Sequence, residues 1–172
     1  MISSIKVMQS ERTSSSNILK AVRAKENLST DEQQAGCMLG LDSWADTCCS
    51  GRHCIVESYV EGKSVTAKGF SDALSSISNL PIANVKFAYD SPYGTTYILR
   101  VNNSIYLGNK MEQSLLCPNQ CRSNGVIIDT RPACHTDDEF AQTVRVPIEN
   151  GNMTIPIQHY GPMPYIAVRQ PT

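Results

Sequence analysis

Met38-Leu39-Gly40-Leu41-Asp42-Ser43-Trp44-Ala45-Asp46-Thr47 is the stretch on which the fold turns. Its first half continues an apolar run from Cys37 and stops on a carboxylate, after which polar and small residues take over. A short apolar run bounded by turn residues reads as a strand, so 37–41 is a strand and Asp42 opens the loop behind it. Outward from there, apolar segments and turn residues alternate at roughly the 8–12-residue spacing of an all-β domain. The expected strands are 37–41, 54–60, 64–68, 82–89, 95–101 and 104–107. Tyr89-Asp90-Ser91-Pro92-Tyr93-Gly94 has the composition of a hairpin turn, and Glu61-Gly62-Lys63 reads as another.

Ser114 to Asp129 breaks the β texture. Pro118 suits the first turn of a short helix, Asn124-Gly125 suits its stop, and Val126-Ile127-Ile128 returns to strand, giving strand, short helix, strand. Further on, Thr143 to Ile148 and Met153 to Ile157 flank Glu149-Asn150-Gly151-Asn152, the sequence of a hairpin with an Asn-Gly turn. Tyr165 to Val168 reads as a last strand. Residues 1–36, rich in Ser, Glu, Lys and Gln, read as a flexible leader. The expected division is therefore a leader (1–36), a closed β domain with one short helix (37–131) and a C-terminal β-hairpin extension (132–172).

Composition narrows the classes of function. The 172 residues are 41% hydrophobic and 18% charged, with a net charge of −1 and no basic run, so no direct nucleic-acid contact and no membrane surface is expected. No stretch reads as a signal peptide or a membrane span. Cys37, Cys48, Cys49, Cys54, Cys117, Cys121 and Cys134 make an odd count without a secretion signal, which points to a reducing, cytoplasmic compartment.

Four blocks in order resemble the protease region of copia-type retrotransposon polyproteins, a branch of the retropepsin-like aspartic proteases. They are Asp42-Ser43-x-Ala45-Asp46-Thr47-Cys48-Cys49-x-Gly51; Ala88-Tyr89-Asp90 with Gly94; Ser114-Leu115-Leu116-Cys117-x-Asn119-Gln120-x-Arg122-x-Asn124-Gly125-Val126; and Ile155-Pro156-Ile157 up to Arg169-x-Pro171-Thr172. The similarity covers about residues 37–172. It implies a retropepsin-like fold and an endopeptidase that cleaves an extended segment of its own polyprotein, with water as nucleophile and no cofactor or metal. Such chemistry needs two carboxylates sharing one proton, one acting as base toward water and the other as acid toward the carbonyl. The chain carries one such loop, so the resemblance implies a homodimer with Asp42 as the catalytic residue of each copy. Ser43, Ala45 and Thr47 would then stabilise the loop.

Trp44 stands where the family has Gly. A large side chain is unexpected where loop, partner and substrate must approach closely, and a positive φ there would strain a non-glycine residue. The chain also ends where such polyproteins continue toward integrase and reverse transcriptase. An inactive remnant, or a dimerisation or binding module, is therefore the alternative. Asp46 is expected to orient or cap the loop. Asp129-Thr130 follows an apolar run too, but its neighbour is Arg131, so it is not the missing partner. The third alternative is a small zinc-stabilised protein, with ligands drawn from Cys49, His53, Cys54, Cys117, Cys121, Cys134 and His135; none of these spacings is that of a zinc knuckle. Free thiols and ordinary loop histidines are the expectation.

Overall fold

The computed structural model describes residues 4–8, 37–68 and 75–172 of the chain. Strands dominate: β1 (Ser4–Met8), β2 (Cys37–Leu41), β3 (Cys49–Gly51), β4 (Ile55–Ala67), β5 (Ile77–Asp90), β6 (Thr96–Gly108), β7 (Ser114–Leu116), β8 (Ile127–Asp129), β9 (Thr143–Ile148), β10 (Gly151–Pro156), β11 (Gln158–Tyr160) and β12 (Met163–Val168). One α-helix, α1 (Pro118–Ser123), and a 3-10 turn at Ala133–His135 interrupt them. The all-β expectation therefore holds, with the single short helix where Pro118 and Asn124-Gly125 place it.

The larger sheet runs β11-β12-β2-β7-β3-β6-β5-β4, and β1 pairs with β6. Its two ends do not stay apart. Directly after β12, Arg169 exchanges both backbone hydrogen bonds with Ala88 of β5, each at 2.9 Å. That bridge closes β12, β2, β7, β3, β6 and β5 into a ring. The smaller sheet, β10-β9-β8, lays one face on the same core.

Period-2 alternation produces that core. In β2, Cys37, Leu39 and Leu41 are buried while Met38 and Gly40 are only partly covered. Val85 and Phe87 of β5, Leu99 and Val101 of β6, and Val144, Val146 and Ile155 of the smaller sheet meet them. Burying each such side chain contributes about 1.5–3 kcal/mol relative to leaving it in water. Gly51 is required by a close approach: a Cβ on it would lie 2.3 Å from the Met111 carbonyl oxygen and 2.9 Å from that of Gln113.

Four expectations are corrected. Glu61-Gly62-Lys63 is not a hairpin turn but lies inside β4. The register against β5 slips between Tyr59 and Ser64, and Gly62 at φ 67° absorbs the extra residues as a bulge. The runs 95–101 and 104–107 are one strand, β6, kinked where Asn103 takes φ 53° and donates its N–H to Asn84 Oδ1 at 3.0 Å. Five residues of the expected leader, Ser4–Met8, form β1, with Ser4 opposite Asn102 and Met8 opposite Ile98; residues 1–3 and 9–36 lie outside the described residues. Segment 132–172 contains the expected hairpin, β9-β10, but it is no mere extension. Its β12 joins the main sheet beside β2, so the ring does not close within 37–131.

Candidate active site

β2 and β7 run parallel, with Leu41 opposite Leu116, and Asp42 continues the ladder by donating its N–H to Leu116 O at 3.0 Å. The strand pattern that buries Leu41 thus delivers Asp42, half-buried, to the loop mouth. Trp44 donates its backbone N–H to Asp42 Oδ1 at 2.9 Å, so the carboxylate is fixed by its own loop. Among the described residues no cation pairs with it.

The indole of Trp44 points away from the fold and is 92% exposed. Its backbone is not among the positive-φ residues, which outside glycine are Asn79, Asn103 and Gln142. Trp44 therefore imposes no backbone strain of that kind on its own chain. Ser43 and Asp46 are exposed, and Ala45 packs partly on the core.

The loop's exit is clasped by a residue to which the sequence reading gave no role. Gln120 of α1 donates from Nε2 to Thr47 Oγ1 and accepts the Cys48 N–H at Oε1, both at 2.9 Å. Below that clasp, the Cys117 N–H reaches Cys48 Sγ at 3.3 Å, and Cys117 Sγ caps α1 by accepting the Gln120 N–H at 3.4 Å. Ser104 Oγ donates to Cys48 O at 3.2 Å and lies 2.5 Å from Ser50 Oγ. Gln120 stands in the third block of the resemblance and just inside a helix behind an apolar strand, but neither signal names its partners, because both bonds span more than 70 residues of chain.

The competing carboxylate is occupied. Asp129 on β8 takes a two-pronged contact from Arg131, Nε to Oδ1 at 3.0 Å and Nη2 to Oδ2 at 2.5 Å. Those bonds hold its carboxyl down at about 2, so it stays ionised and paired. Arg131 also bonds Asp138 at 2.7 Å.

The cysteines are all free thiols. Burial pushes Cys37, Cys49 and Cys54 up to about 11, which keeps them protonated near neutral pH. A hydrogen bond between Cys48 and Cys121 raises the Cys121 thiol and lowers that of Cys48. His53 turns to Glu112 at 3.1 Å, and Arg52 pairs with the same carboxylate. Among the described residues, no three His, Cys, Asp or Glu side chains converge as a metal site. No described helix is long and apolar enough to cross a membrane.

Comparison with protein-family models, curated proteins and solved structures returns no match.

Proposed function

We propose that this chain is a retropepsin-like aspartic endopeptidase domain of the copia retrotransposon type, acting as a homodimer on an extended segment of its own polyprotein. The observation that carries the reading is the state of Asp42. It is a half-buried carboxylate at the end of a core strand, on a loop anchored at both ends, held by a backbone N–H and, among the described residues, by no cation. Asp90 and Asp129, by contrast, are ion-paired. Asp42 of a second copy supplies the other half of the site. One carboxylate, ionised, takes a proton from water, and the other, protonated, gives one to the peptide carbonyl. Thr47 and Ala45 hold the loop, and Ser43 is exposed toward the second copy.

The second reading is a binding or assembly module without proteolysis, and Trp44 favours it. The indole stands at the loop apex, where the second Asp42 loop has to approach. Tyr165 lies opposite Gly40, so Met163 falls at the register position opposite Asp42, and Tyr160 pairs with Met163. Tyr160 and Met163, exposed like Trp44, thus lie toward the end of the sheet from which the Asp42 loop leaves.

Cleavage of peptides spanning the polyprotein, measured together with sedimentation for the parent, Asp42→Asn and Trp44→Gly, separates the two. Turnover that appears only in the dimer and vanishes in Asp42→Asn supports the peptidase. No turnover in either the parent or Trp44→Gly sinks it and leaves the module. Activity in a strictly monomeric form overturns the two-carboxylate scheme.

A further inference from the structure

We propose that Gln120 is the positioning residue of the Asp42 loop, fixing the loop's exit and thereby the direction in which the carboxylate faces; this rests on the reading of Asp42 as the site carboxylate. The loop has two anchors. Its entry is the Asp42 N–H on Leu116 O; its exit carries the pair of bonds between the Gln120 amide and Thr47 and Cys48, beside the Ile105 N–H and the Ser104 hydroxyl that hold Cys48 O. Leu116 and Gln120 belong to one short segment, the end of β7 and the start of α1, so both anchors stand on the same piece of structure.

The chemistry of the exit calls for a forked polar head. Two successive loop residues present a hydroxyl, which can donate or accept, and an N–H, and the Gln120 amide meets both with its side-by-side donor and acceptor. The backbone that carries this amide is itself braced. The Gln120 N–H rests on Cys117 Sγ at 3.4 Å, and Asn124 Nδ2 donates to Gln120 O at 2.8 Å. Between the anchors Ser43, Trp44 and Asp46 are exposed and Ala45 alone packs partly on the core, so the two anchors do most to set the pose of the apex. The Trp44 N–H that grips Asp42 Oδ1 lies inside that span. Loss of the exit anchor therefore loosens the carboxylate while leaving every strand pairing intact.

The test is amide exchange by NMR on the full chain, with peptide cleavage measured in parallel, for Gln120→Leu, Gln120→Glu and Thr47→Val. In Gln120→Leu the Cys48 amide should exchange about tenfold faster, with Leu99 and Val101 in the middle of β6 unchanged. In the same variant kcat should fall with KM little altered. Gln120→Glu should restore most of both, because a carboxylate still accepts the Cys48 N–H and the Thr47 hydroxyl can turn to donate. Thr47→Val, which removes one bond of the two, should raise Cys48 exchange by about threefold and carries the test if Gln120→Leu does not fold. Unchanged Cys48 exchange, equal acceleration at Leu99 and Val101, or no rescue by Glu overturns the inference. A parent that never cleaves while Cys48 responds as stated defeats the peptidase reading alone. A parent that cleaves while Cys48 is indifferent to Gln120 defeats the clamp alone.

Discussion

The two ends of β2 are built on different terms. At its start, Cys37 lies opposite Val168, and the next residue, Arg169, welds β12 to β5 with two backbone bonds. Arg169 Nε also pairs with Asp90 Oδ2 at 2.7 Å, and Thr96 Oγ1 donates to Asp90 Oδ1 at 2.6 Å. At its finish, Asp42 has a backbone N–H for company and an exposed indole beside it. One carboxylate is paired with a cation and seals the ring; the other is oriented by its own loop, with no cation on it among the described residues. Of these two carboxylates, the paired one serves the stability of the ring, and Asp42, with no cation on it among the described residues, is the one proposed for chemistry.

That contrast can be broken most sharply by exchanging the same chemical change between the ends. Asp42→Asn should lower peptide cleavage by about 10²–10⁴-fold and leave the unfolding midpoint in place, whereas Asp90→Asn should do the reverse. Paired kinetic and denaturant measurements on both variants decide it. Loss of cleavage in Asp90→Asn at unchanged stability would erase the distinction.

A smaller effect is expected from the ring seal itself. Arg169→Ala should destabilise by about 1 kcal/mol in urea, a figure already reduced because solvent screens the partly exposed pair. The pH dependence has a definite sign. Burial alone would raise the Asp90 carboxyl, but the bonds from Arg169 and Thr96 outweigh it and hold it below its ordinary value. A lowered folded value means this stability is complete above the ordinary carboxylate range and is lost as pH falls through the lowered value. Urea midpoints followed into acid should therefore drop in the parent and drop less in Asp90→Asn. Parallel curves would remove the clasp from the explanation.

The smallest change in stability should come from the most conspicuous residue. Trp44→Gly removes no buried contact, so the unfolding free energy should move by within about 1 kcal/mol, mostly through greater freedom of the unfolded chain. Its effect should be read in association. Sedimentation should show Trp44→Gly dimerising more strongly than the parent if the indole obstructs the second loop, and less strongly if the indole is itself the contact. A large loss of stability on this substitution would show that the apex is braced by the indole after all.

Much of this architecture is written locally. The apolar run 37–41, stopped by Asp42, marked β2 to the residue, and Pro118 and Asn124-Gly125 bounded α1; the β9-β10 hairpin was expected too, though its turn is Glu149-Asn150 and Gly151 already opens β10. Each depends on backbone preferences of adjacent residues, which a linear reading can reach. Errors fell where a local signal was outvoted by pairing. Gly62 looks like a turn, yet the long partner strand β5 draws the chain through it and leaves a bulge. The polar leader looked unable to order, yet Ser4–Met8 finds an open edge of β6.

The sequence by itself determined that the chain is built of strands with one short helix, and that a core strand ends on Asp42. Tertiary structure alone decided that the ring closes through Arg169 and Ala88, that Asp90 is paired while Asp42 meets no cation among the described residues, and that Gln120 grips the loop's exit. The physical reason is distance along the chain. Strand period and turn chemistry act over a few residues, whereas the Asp90–Arg169 and Cys48–Gln120 contacts join residues 79 and 72 positions apart and exist only once the sheet has brought them together.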